Sequence, residues 1–298
     1  MSLIGLITAL ATPFAASGAI DLKSWDQMLR VQRVSGVNGV VVAGSTGEAA
    51  MLSDSEFHQL MRTAKTTLGP DIPIIAGAGA SGTDKTVEQV HNVHRAGAAV
   101  ALVVTPPYVR PNQEGLIAHY MQVASSSAIP IMLYNVPPRS GCDILPETVE
   151  KLRTHSNICG IKESCPGPER MRALLCLQTP NFRVFSGDDA TASRALHAGA
   201  SGWISVASNV APAAHALLCR LARANDPAAV RWNERLRQLH DFCSVEPNPI
   251  PVKALLRALG FGYGVRLPLV SLSSAYESDV QKLCQLVRSV EEDARAQM

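Results

Sequence analysis

The segment ICGIKESC, residues 158 to 165, sets Lys162 beside Ile158, Cys159 and Ile161 in a run that otherwise has the composition of a buried strand. Burying an ammonium without a partner costs several kcal/mol or strips its proton, so a lysine in such a run needs a reason. Two are available. The side chain can snorkel to a rim or pair with a neighbouring carboxylate. Alternatively, desolvation favours the neutral amine, which can attack a ketone and form an imine. The protonated imine then draws electrons from the adjacent carbon, which releases a proton and becomes an enamine. That chemistry calls for a proton shuttle and a carboxylate anchor, and for no metal or cofactor. Other segments supply both. Tyr134 begins YNVPPRSG and can relay protons, while Arg139 in the same segment can fork onto a carboxylate. Ser45 and Thr46 lie between Gly44 and Gly47, where a sharp turn can present N–H and hydroxyl donors to an anion. Tyr108 lies in TPPYVRP. The other six lysines, at 23, 65, 85, 151, 253 and 282, fall in segments that read as helices or helix ends.

For these residues to meet, the chain must bring distant segments together. Runs rich in Val, Ile and Ala occupy 5–14, 39–47, 72–80, 100–108, 129–138, 158–164, 182–189 and 202–208, each ending in Gly, Pro, Ser, Thr or a polar residue. Helical periodicity occupies 24–34, 54–68, 86–97, 115–125, 145–155 and 190–200. Strand followed by helix, repeated, is the pattern of βαβ units, and apolar strands buried on both faces suit a parallel sheet. Eight such strands in succession favour an α/β fold of the closed (β/α)8 TIM-barrel type over an open doubly wound sheet. In a barrel of this type the active site lies at the C-terminal ends of the strands, where Lys162, Tyr134, Ser45, Thr46, Tyr108 and Arg139 all fall. Helical segments alone follow, at 212–224, 226–244, 250–260 and 278–297. The expected division is a barrel over 1–224 and a C-terminal helical extension over 225–298, packed on the barrel without a low-complexity linker.

Composition narrows the partners. Of 298 residues, 47% are hydrophobic and 17% charged, enough for a large core, and the net charge is only +2. No block of like charge marks a nucleic-acid or membrane surface, so a small-molecule partner is expected. The seven cysteines are irregularly spaced and form no Cys-x2-Cys pair, which suggests reduced thiols and a cytoplasmic protein. The opening MSLIGLITALATPFAASGA imitates a signal peptide, but its first basic residue is Lys23, so a first strand is the better reading. The eight histidines lie mostly in helical stretches, away from the strand ends where a metal cluster would form.

The segments GSTGEA, VTPPYVRPNQEGL, YNVPPRSGCDILPETV, GIKES, FSGDDATA and EPNPIPVKALLRALG, in this order over nearly the whole chain, resemble the dihydrodipicolinate synthases of the pyruvate-dependent class I aldolase superfamily. The resemblance implies a lyase of the diaminopimelate route to lysine that condenses pyruvate with L-aspartate 4-semialdehyde. It implies that Lys162 forms the imine and Tyr134 donates and accepts protons. Ser45 and Tyr108 would complete a hydroxyl relay, with Tyr108 reaching into a neighbouring subunit. Thr46 and the backbone at Ile204 would hold the pyruvate carboxylate, and Arg139 the carboxylate of the aldehyde. A homotetramer, a dimer of dimers, is also implied.

Two departures bear on function. Most such synthases carry Thr-Thr where this chain has Ser45-Thr46, and GSTGEA is also the pattern of sialic-acid lyases. Ser45 keeps the hydroxyl but lacks the methyl that restricts rotamers. Arg139 separates the synthase reading from a sialic-acid or sugar-acid lyase, in which the corresponding loop generally lacks an arginine. A catalytically silent barrel that binds a keto acid would not need both Lys162 and Tyr134. At the positions where lysine-inhibited synthases hold their effector, this chain has Ala49, Asp54, Phe57, Ser81, Lys85 and Pro107. A cation replaces the expected anion at Lys85, so lysine feedback is expected to be weak or absent.

Overall fold

The apolar runs form eight strands in a computed structural model that describes residues 3–297. The strands are β1 (Gly5–Ala9), β2 (Gly39–Val42), β3 (Ile74–Ala78), β4 (Val100–Val104), β5 (Ile131–Asn135), β6 (Ile158–Glu163), β7 (Arg183–Ser186) and β8 (Gly202–Ser205). They pair in parallel in chain order, and β8 returns to β1 to close the barrel. Each is shorter than its apolar run, because the last residues of the run leave the ladder and build the loop above it. Met1, Ser2 and Met298, the ends of the two segments expected from the sequence, lie outside the described residues.

Twelve helices accompany the strands among the described residues: α1 (Leu22–Val34), α2 (Asp54–Leu68), α3 (Thr83–Arg95), α4 (Gln113–Ser126), α5 (Pro137–Ser140), α6 (Pro146–Leu152), α7 (Pro168–Leu175), α8 (Asp189–His197), α9 (Pro212–Arg223), α10 (Ala228–Phe242), α11 (Ile250–Ala258) and α12 (Glu277–Arg295). Local chemistry fixes several starts. Asp21 and Asn112 accept backbone N–H bonds at the heads of α1 and α4, and Ser53 with Glu56 forms a reciprocal capping box on α2. Helix α7 was not evident from periodicity. It has only eight residues and buries two, Met171 and Leu174, too few to define a stripe.

Strand alternation sorts side chains into two cores. Ile7, Val41, Ile75, Leu102, Met132 and Phe185 fill the barrel. Their neighbours Leu6, Val40, Val42, Leu133 and Val184 face the helices. The outer core continues without a break into Leu217 of α9, Trp232 of α10, Leu255 of α11 and Val287 of α12, so the C-terminal helices share the apolar layer that surrounds the barrel. Four of the seven cysteines, at 142, 219, 243 and 284, are buried, Cys176 is exposed, and all seven are free thiols. Among the described residues no helix is long and apolar enough to cross a membrane.

Candidate active site

Alternation on β6 decides where the lysine points. Ile161 packs in the outer core, so Gly160 and Lys162 share the opposite parity and Lys162 faces the barrel interior at the C-terminal end of the strand. The next residue, Glu163, turns outward and is wholly buried. Its carboxylate accepts from Arg170 Nε at 3.0 Å, from Asn135 Nδ2 at 3.0–3.1 Å and from the Cys165 backbone N–H at 2.8 Å. Arg170, carried by α7, also forks onto Asp143 at 2.7 and 3.1 Å. The rim acid is therefore consumed by structure, and among the described residues Lys162 forms no ion pair.

Parallel register places Tyr134 directly beside Lys162 on β5, as the strand order required. The Lys162 ammonium lies 4.2 Å from the centroid of the Tyr134 ring. Tyr134 Oη in turn stands 3.4 Å from Ser45 Oγ, a contact in which either hydroxyl can donate. Burial pushes the Tyr134 phenol up. That effect is outweighed by the Lys162 charge, the bond to Ser45, the Arg139 charge and Ser164, and the net shift is below the usual tyrosine value. A phenol held in this way exchanges its proton more readily near neutral pH. The Lys162 side chain packs directly against residue 187, which is glycine. A Cβ there would come within 2.7 Å of Lys162 Cε and 3.0 Å of its Cγ. Sequence reading marked this FSGDD segment but gave Gly187 no role.

Above β2, the GSTGEA segment turns sharply, and Glu48 adopts a left-handed conformation at φ 55°. Thr46 is buried, and its Oγ1 accepts from Asn248 Nδ2 at 3.0 Å. Glu48 is buried against Lys253 of α11, with which it forms a close ion pair, and its other oxygen accepts from the Arg266 backbone N–H at 2.9 Å. Lys253, read from sequence as a helix lysine, is thus a second buried lysine. Arg139, on α5, donates through Nη2 to the Asn248 carbonyl at 2.8 Å.

Ser45, Tyr134, Arg139 and Asn248 line one cavity of about 510 Å3. Ile204, on β8, packs in the interior cluster with Tyr134 and Phe185. Tyr108 is the one candidate that the fold does not bring in. It is 91% exposed, at φ 73°, on the loop after β4. Among the described residues no group of three or more His, Cys, Asp or Glu side chains is arranged to hold a metal ion. The site offers an inward amine, a phenol held below its usual pKa, a serine hydroxyl 3.4 Å from that phenol, and, both bound by Asn248, a threonine hydroxyl and a guanidinium.

Known proteins share this arrangement of chain and fold. Residues 2–287 match the model of the dihydrodipicolinate synthetase family. A 4-hydroxy-tetrahydrodipicolinate synthase of Stenotrophomonas maltophilia is 54% identical over 292 residues, covering 98% of both chains. The chloride-inhibited dihydrodipicolinate synthase of Acinetobacter baumannii, solved in complex with pyruvate, superposes with a TM-score of 0.93 at 37% identity, over 96% of this chain and 99% of that one. A monomeric dihydrodipicolinate synthase variant superposes with a TM-score of 0.90 at 36% identity, over 98% of this chain and 97% of that one.

Proposed function

The chain belongs to the dihydrodipicolinate synthetase family and is a lyase that catalyses the 4-hydroxy-tetrahydrodipicolinate synthase reaction, and we propose that it does so through an imine between pyruvate and Lys162. The observation that carries this reading is the pairing of Lys162 with Tyr134 on adjacent strands, the amine 4.2 Å from the phenol ring and free of any carboxylate among the described residues. The Lys162 amine attacks C2 of pyruvate, water leaves, and the imine forms. Tyr134, having given its proton to the departing water, takes one from C3 to form the enamine and keeps it for the next step, with Ser45 hydrogen-bonded to its oxygen. C3 then attacks the aldehyde carbon of L-aspartate 4-semialdehyde, whose oxygen takes a proton from Tyr134 and becomes the hydroxyl. The amino group of the condensed product attacks C2, expels Lys162 and closes the ring. No metal or cofactor enters these steps.

Thr46 and the backbone at Ile204 hold the pyruvate carboxylate, and Arg139 receives the carboxylate of the aldehyde. The exposure of Tyr108 supports its completing the relay of a second subunit in a homotetramer built as a dimer of dimers. Free thiols throughout support a cytoplasmic enzyme. Lys85, in place of an acid, supports weak or absent inhibition by lysine. Sub-millimolar inhibition with lysine bound beside Lys85 would refute that expectation.

The test is the condensation rate with pyruvate and aspartate semialdehyde, coupled to the downstream reductase, for wild type and Arg139→Ala, with N-acetylmannosamine as the competing aldehyde. Turnover of aspartate semialdehyde that collapses in Arg139→Ala is expected. Turnover of N-acetylmannosamine instead would refute the proposed specificity.

A further inference from the structure

Asn248 lies between α10 and α11, far from the barrel in sequence, yet it touches both side chains assigned to carboxylates. Its Nδ2 donates to Thr46 Oγ1 at 3.0 Å, and its main-chain carbonyl accepts from Arg139 Nη2 at 2.8 Å. It lines the cavity shared by Ser45, Tyr134 and Arg139, and its Oδ1 is buried with no partner among the described residues. We propose that Asn248 is a positioning residue that sets the two carboxylate subsites in register, orienting Thr46 for the keto acid and Arg139 for the aldehyde. This rests on the roles given above to Thr46 and Arg139.

A threonine hydroxyl has one proton and two lone pairs. To hold a carboxylate, Thr46 must aim its proton at the anion, and a donor on its lone pair leaves the proton free for that purpose. Asn248 Nδ2 is that donor. The same residue's carbonyl occupies one of the five guanidinium N–H groups of Arg139, leaving the remainder to meet a carboxylate. A long arginine tethered in advance loses less freedom when its ligand arrives. Packing alone does not account for the amide, since Oδ1 is left buried without a partner, a cost that an apolar side chain of similar size would not carry.

The experiment is steady-state kinetics with both substrates for wild type, Asn248→Ala, Asn248→Asp, Thr46→Val and the Thr46→Val/Asn248→Ala double variant. Borohydride trapping of pyruvate on Lys162 and the thermal midpoint are recorded for each. In Asn248→Ala the KM for pyruvate should rise about tenfold while kcat changes far less. The KM for the aldehyde should rise by a smaller factor, because the carbonyl that holds Arg139 remains. Asn248→Asp should be worse than Asn248→Ala for both substrates, since it puts an anion beside two carboxylate subsites. In the Thr46→Val background, Asn248→Ala should add less than about twofold to the pyruvate KM. Unchanged KM values in folded Asn248→Ala, or an effect undiminished by Thr46→Val, would overturn the proposal, as would a lowered thermal midpoint with wild-type KM values. If wild type itself traps no pyruvate on Lys162, the imine reading fails and takes this one with it. Trapping by wild type with no KM change in Asn248→Ala defeats only the role of Asn248.

Discussion

Lys162 and Lys253 are 4% and 5% exposed, and each ammonium lies over an aromatic ring, Tyr134 at 4.2 Å and Phe14 at 4.1 Å. Burial and ring contact are therefore common to both. What separates them is the nearest acid. Lys253 is paired with Glu48, whereas the acid next to Lys162 in sequence, Glu163, turns outward and is bound by Arg170 and Asn135. Burial pushes the Lys253 amine down to about 8, with its bond and charge contact to Glu48 holding it up and Arg266 opposing them. An amine tied to a carboxylate is a strut, and one left without an anion can be a nucleophile. Depth in the protein does not by itself make a lysine reactive.

The largest expected effect follows from removing the unpaired amine. Lys162→Met should lower condensation by at least about four orders of magnitude. Its thermal midpoint should equal or exceed that of wild type, because an apolar side chain replaces a buried amine that has no ion pair. A clear fall in the midpoint would place Lys162 with Lys253 as a structural lysine. Tyr134→Phe keeps the ring beneath the amine and deletes the hydroxyl. Single-turnover and steady-state rates should show kcat falling by about 10² to 10⁴, while mass spectrometry after borohydride still finds pyruvate on Lys162.

At Lys253 the effects should move to stability. Lys253→Met leaves Glu48 buried and uncompensated, so urea unfolding should report a loss of about 3–5 kcal/mol. Adding Glu48→Gln should return much of it, and failure to do so would mean that the pair is not the source of the loss. The smallest effect is in pH. The folded-state value of Lys253, about 8, lies below the ordinary lysine value of 10.5, so between these limits the unfolded chain binds more protons than the folded one. Stability relative to Lys253→Met should therefore rise from pH 8 to 10.5 and be flat below pH 8, which unfolding curves over that range would test.

How much of this was legible in the sequence depends on the range of the interaction. The eight strands were readable because parallel strands buried on both faces are continuous apolar runs, and chain order followed from the strand–helix repeat. Tyr134 beside Lys162 was readable for the same reason, since consecutive strands of such a barrel pair. Helix α7 was not, being too short for a stripe, and with it the arginine that neutralises Glu163 was overlooked. Lys253 looked like any lysine on a helix, because its partner stands 205 residues away. Asn248 was hidden in the same way, 202 residues from Thr46.

By itself the sequence determined the barrel, the strand end at which the chemistry is placed, and the candidates for amine, phenol, hydroxyls and guanidinium. These depend on residue type, short-range periodicity and consecutive pairing, all of which are local properties of the chain. Only the tertiary structure decided which buried lysine lacks an anion, which groups of Asn248 hold Thr46 and Arg139, and that Tyr108 is exposed and outside the lining of the cavity. Those facts depend on contacts between segments 109 to 205 residues apart, and on the exposure of a side chain in a loop. Neither leaves a pattern along the chain, because a carboxylate neutralises whichever amine the fold brings to it.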